Sequence, residues 1–141
     1  MKSRYAAVLF ILFLLFGCSA QEVERTNTNG PRNEIEQIIN MDISHVDPAT
    51  IRDGEYIGEF PFMERLLYQV RITVKSGKIV NIEVLQNGTE NEYAKKGLGV
   101  VPCILQKQSP EVDVVTLSTV ISKSLMKCVE KALNKGRKDE G

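Results

Sequence analysis

Between Tyr68 and Lys75 the side chains alternate strictly, with Tyr68, Val70, Ile72 and Val74 on one parity and Gln69, Arg71, Thr73 and Lys75 on the other. A strand sends successive side chains to opposite faces, so this run belongs to a sheet with one buried face. Ser76-Gly77 follows as a tight turn, because glycine takes a positive φ that other residues resist. Ile79 to Leu85 returns as the partner strand, with Val80, Ile82 and Val84 expected on one face. Upstream, Glu55 to Phe60 reads as a first strand, which makes two or three antiparallel strands.

The rest of the domain has helical or turn character. Ile35, Ile38 and Ile39 predict a short helix from Glu34 to about Met41, and Pro48 closes this lead-in segment. Gln86 to Gly99 reads as loop or irregular helix broken by Asn87-Gly88 and two further glycines; Asn87-Gly88-Thr89 is taken as a turn rather than a glycosylation acceptor. A helix is predicted from Val101 to Gln108, with Pro102 in its first turn and Ser109-Pro110 ending it. Val112 to Val115 reads as a short buried strand. The last helix starts near Ser118 or Thr119 and runs to Asn134 or Lys135 before Gly136. Ile121, Leu125, Cys128, Val129 and Ala132 form its apolar stripe, while Lys123, Lys127, Glu130 and Lys131 are expected to face water. The fold class is α+β: a single domain with a twisted antiparallel sheet packed by helices and a C-terminal amphipathic helix.

The N-terminus carries an address. Lys2 and Arg4 precede an unbroken apolar run from Ala6 to Phe16, too short for a comfortable membrane span. It ends in Leu15-Phe16-Gly17-Cys18, which resembles the lipobox of bacterial lipoproteins. The expectation is a signal peptide over 1–17 and a mature protein anchored to the membrane through lipid on Cys18, in the bacterial cell envelope and facing outside the cytoplasm. Residues 18–33 are polar and read as a flexible tether, 34–136 as the domain, and 137–141 as a charged tail. The mature chain has 124 residues, enough for one domain, and carries 16 basic and 18 acidic side chains. With no concentrated positive face, no nucleic-acid partner is expected.

The stretch Asp113 to Lys123 brings an extended end, several hydroxyls and a helix start together. Unpaired N–H groups and the positive end of the helix dipole favour an anion at such a place. Helix capping by Ser or Thr is the competing explanation of the hydroxyls. Elsewhere little chemistry is visible: His45 has no Ser or Cys partner at a recognisable spacing, and Cys103 and Cys128 read as small core residues, with a disulfide open to them if their helices pack.

From about Asp53 to Lys135 the chain resembles the FMN-binding domain of bacterial exported flavoproteins and of the periplasmic flavin subunits of ion-translocating electron-transport complexes. Asp53-Gly54-Glu55-Tyr56-Ile57-Gly58, the hairpin Val70 to Leu85, Gln108-Ser109, and Val112-Asp113 leading to Ser122-Lys123 carry the resemblance. The family's phosphate motif is an Asp, two residues, then Ser or Thr, Gly, Ala, Thr. Asp113, Thr116 and Thr119 match it, whereas Leu117 replaces the glycine and Ser118 the alanine. The resemblance implies FMN as cofactor, with Thr116, Ser118, Thr119 and Ser122 holding phosphate and Asp113 orienting the turn. It also implies extracytoplasmic electron transfer with a redox protein partner. Family members carry FMN either reversibly or as a phosphoester on the threonine corresponding to Thr119. Glycine serves where backbone nears a ligand or takes a conformation a Cβ disfavours, so Leu117 is expected to crowd the phosphate or force a different turn, and noncovalent binding is favoured. The alternative is a non-redox lipoprotein that keeps the fold, has lost the flavin and binds a partner.

Overall fold

The computed structural model describes residues 30–88 and 90–139; the signal, Cys18 and most of the tether lie outside them. The first helix, α1 (Gly30–Ile39), starts earlier than its isoleucine spacing indicates, because Pro31, with its fixed φ, suits a first helical turn. Gly30 to Asn33 therefore belong to this helix rather than to the tether. Its Glu34 carboxylate accepts the Met63 N–H at 2.8 Å and so ties the helix to the first hairpin. A short 3-10 turn, Pro48–Thr50, is capped by the Asp47 carboxylate.

Three antiparallel strands follow in simple order, β1 (Gly54–Phe62), β2 (Leu66–Lys75) and β3 (Lys78–Asn87), with β2 in the middle. Pro61 is tolerated because β1 is an edge strand. Ser76 and Gly77 both take positive φ, 51° and 73°, as a two-residue hairpin whose twist matches its strands requires. Val70, Ile72 and Val74 are fully buried, as the alternation predicts. The partner strand departs from the expected phase. Thr73 pairs with Asn81 but Val74 with Ile79, so Val80 is an extra, bulged residue; Ile79 turns into the core while Val80 is 53% exposed.

Two short helices, α2 (Glu92–Gly97) and α3 (Val100–Lys107), lead to the long α4 (Thr119–Lys135), which packs across β1 and β2. Ile121, Leu125, Cys128, Val129 and Ala132 are buried along α4 as expected. Glu130 is buried too, against expectation: it pairs with Lys127 at 2.9 Å and accepts the Ser44 N–H at 3.1 Å. Lys123 is half-buried and donates to the Met41 carbonyl at 2.7 Å. Gly58 lets α4 come close, since a Cβ there would stand 1.8 Å from the Cys128 carbonyl oxygen. Gly136 ends α4 with φ −95°, not in the left-handed region; glycine is needed because a Cβ would lie 2.3 Å from the Tyr56 ring.

Both edges of the sheet are met by side chains. Lys131 and Lys135 of α4 donate to the carbonyls of Glu59 and Ile57 on β1. At the other edge the Gln108 amide accepts the Ile79 N–H at 2.7 Å and donates to the Ile79 carbonyl at 2.9 Å. Cys103 is exposed and Cys128 buried, and both are free thiols; Cys103 therefore does not belong to the core. Its helix turns Val100 and Ile104 inward instead.

Candidate phosphate turn and its surroundings

Val112 to Val115 is extended but takes no place in the sheet, contrary to the strand expected there. What fixes it is the first turn of α4. Val115 donates its N–H to the Ser122 hydroxyl at 3.1 Å, and Ser122 is fully buried. The chain then reverses over Val115-Thr116-Leu117-Ser118, with the Ser118 N–H returning to the Val115 carbonyl at 2.9 Å. Leu117 stands third in this turn with φ 67°, the position and sign that favour glycine. Its side chain is 72% exposed. Leucine adopts the left-handed conformation here at a cost of about 1–2 kcal/mol.

Ser118 is the N-cap residue of α4, yet its hydroxyl does not cap. It is buried and donates to the Tyr93 carbonyl of α2 at 2.9 Å, and no side chain caps the helix. The first intrahelical bond is Ser122 N–H to the Ser118 carbonyl, which leaves the N–H groups of Thr119, Val120 and Ile121 ahead of it. Among the described residues the hydroxyls of Thr116 and Thr119 have no protein partner. Thr116 is exposed and Thr119 half-buried.

The predicted site residues thus divide. Thr116, Leu117 and Thr119 lie together at the uncapped helix start. Ser118 and Ser122 have committed their hydroxyls inward, where they brace the turn against α2 and against Val115. Asp113 is exposed and takes no hydrogen bond from the turn; it borders a hollow of about 250 Å³ with Cys103, Gln106, Lys107 and Val112.

Sequence reading missed the wall formed by α2. Asn91 caps this helix by accepting the Ala94 N–H at 2.8 Å, and Gly97 fits against α4 so closely that a Cβ would lie 2.4 Å from Ile121 Cγ2. Tyr93, one residue beyond the helix start, is 56% exposed, and Lys96 Nζ stands 5.9 Å from its ring centroid. An aromatic residue set between Glu92 and Lys95-Lys96 was the only available signal. His45 does have a serine partner, Ser109, at 2.8 Å from Nδ1, but Ser109 is fully buried and also accepts the Glu111 N–H, so the pair is structural.

Comparison with known proteins bears on this turn. Residues 68–134 match the family model described as FMN-binding domain. An uncharacterized protein of Treponema pallidum (strain Nichols) is 27% identical over 129 residues, covering 91% of this chain and 35% of its own length. The chain thus spans about a third of that relative.

The turn suits the phosphate of FMN on its own geometry. A left-handed third residue brings successive groups round the helix start, the uncapped N–H groups are donors, and two hydroxyls are uncommitted. Over residues 68–134 this chain is similar to the FMN-binding domain, and that likeness supports FMN as its cofactor.

Proposed function

We propose that the protein is a lipid-anchored FMN-binding protein that carries electrons outside the bacterial cytoplasm. The observation that carries the flavin part is the turn from Val115 to Ser118, which sets a left-handed third residue, Leu117, at an uncapped helix start. The Thr116 and Thr119 hydroxyls and the N–H groups of Thr119 to Ile121 would hold the phosphate, while Ser118 and Ser122 keep the turn in place. When bound, FMN supplies one- or two-electron transfer through its ring, and the protein supplies position and electrostatics. Binding is reversible rather than through a phosphoester at Thr119. The anchoring and location rest on Lys2 and Arg4, the apolar run and Leu15-Phe16-Gly17-Cys18.

The test is the visible absorption spectrum of the full-length protein purified from its native host, before and after denaturation and filtration. Yellow colour that filters away is expected. Colour that stays with the denatured chain would replace reversible binding by covalent attachment, and a colourless protein that takes up no added FMN would leave a flavin-free lipoprotein.

A further inference from the structure

Resting on the FMN reading, we infer that Tyr93 and Leu117 form the bed on which the flavin ring lies, so that leucine in the glycine position is a ligand contact rather than an obstacle. Leu117 adopts a left-handed φ of 67° and yet exposes 72% of its surface. It therefore carries backbone strain with almost no packing in return, and strain that the fold does not use is a pointer to function. A glycine, asparagine or aspartate would make the same turn at less cost.

Tyr93 repeats the pattern. Among the described residues, exposed large apolar side chains are few: Ile39, Val80, Tyr93 and Leu117. Two of these lie on elements held together, because the Ser118 hydroxyl, next to Leu117, donates to the Tyr93 carbonyl at 2.9 Å. Gly97 packed on Ile121 fixes α2 against α4, so Tyr93 cannot drift from the helix start. The Lys96 ammonium stands over the Tyr93 ring at 5.9 Å and adds positive charge to the same place. FMN needs two unlike surfaces side by side: an anion seat for its phosphate, and a flat apolar surface for its tricyclic ring. The uncapped start of α4 offers the first, and the exposed Tyr93 ring with the Leu117 side chain offers the second. Aromatic stacking of this kind contributes enough to change affinity by about ten-fold.

The experiment titrates FMN into full-length protein in detergent and reads both the dissociation constant and the fluorescence of the bound flavin, which a stacked tyrosine quenches. Tyr93→Leu is expected to raise the dissociation constant about ten-fold and to relieve the quenching, while Tyr93→Phe stays within about two-fold of the parent. Leu117→Gly is expected to raise it as well, despite restoring the family residue. Inorganic phosphate, which reports on the anion seat alone, should compete with FMN in the parent and have the same dissociation constant in Tyr93→Leu. Thermal melts check that all three variants remain folded. If the parent binds FMN but Tyr93→Leu changes neither affinity nor quenching, the inference falls while the flavin reading stands; a tighter Leu117→Gly protein removes Leu117 from the bed. A folded parent that binds no FMN overturns the flavin reading itself.

Discussion

Gly58→Ala is the substitution the packing penalises most directly. An ideal Cβ at this position would sit 1.8 Å from the Cys128 carbonyl oxygen, 2.7 Å from its carbonyl carbon and 2.9 Å from the Ala132 nitrogen. All three are backbone atoms of α4, so no side-chain rotation relieves the overlap. Restoring an ordinary contact of about 3.5 Å would require β1 and α4 to separate by roughly 1.7 Å. That movement would open the interface holding Leu125, Cys128, Val129, Ala132 and Leu133, each 1% exposed or less. Overpacking generally costs about 1–3 kcal/mol and sometimes more; with backbone on both sides, at least about 3 kcal/mol is expected. For a domain of this size that corresponds to a fall in Tm of about 12–24 °C. Thermal unfolding followed by far-UV circular dichroism measures it, with Gly30→Ala as the control. A Cβ at Gly30 meets nothing within 4 Å, and the change should stay within about 0.5 kcal/mol of the parent. A Gly58→Ala protein melting with the parent would show that α4 does not lie on β1 at this distance.

Thr119→Ala should lower FMN affinity about ten-fold to a hundred-fold through loss of a charge-assisted hydrogen bond, while changing Tm little because Thr119 caps nothing; titration and melting of the same sample separate the two effects. Cys18→Ser should abolish fatty-acid labelling of the protein in its bacterial host, and unchanged labelling would refute the lipid anchor. Burial pushes the Cys128 thiol from its ordinary 9.0 up to about 12, with Glu59 raising it and Lys131 opposing. The unfolded chain releases this proton at lower pH than the folded one. This contribution is therefore present in full below pH 9 and is lost as pH rises towards 12, which urea titrations across that range would measure. Native protein treated with a thiol reagent at neutral pH should react at exposed Cys103 and not at Cys128.

The hairpin and the last helix were legible because both are periodic. Tyr68 to Val74 buries one parity and α4 buries one stripe, and neither pattern depends on distant partners. Val80 was misjudged because a single bulge reverses the phase, and nothing in an apolar run marks where the extra residue falls. Glu130 was misjudged because its burial is decided by Ser44 and Lys127 together, one of them 86 residues away. At the site, the order Asp113, Thr116, Thr119 was visible in the sequence. The direction of each hydroxyl was not: Ser118 could cap or turn inward, and only the arrival of the Tyr93 carbonyl decides for the latter. Leu117 was visible as a departure from the family pattern, but its left-handed φ of 67° was not, because nothing in the sequence marks a leucine for that conformation.

A three-stranded sheet with two open sides would ordinarily invite a strand from another molecule. Here Lys131 and Lys135 occupy carbonyls along β1, and Gln108, itself left-handed at φ 58°, imitates one residue of a fourth strand beside Ile79. A neighbouring copy of the chain would find backbone groups already taken on both flanks.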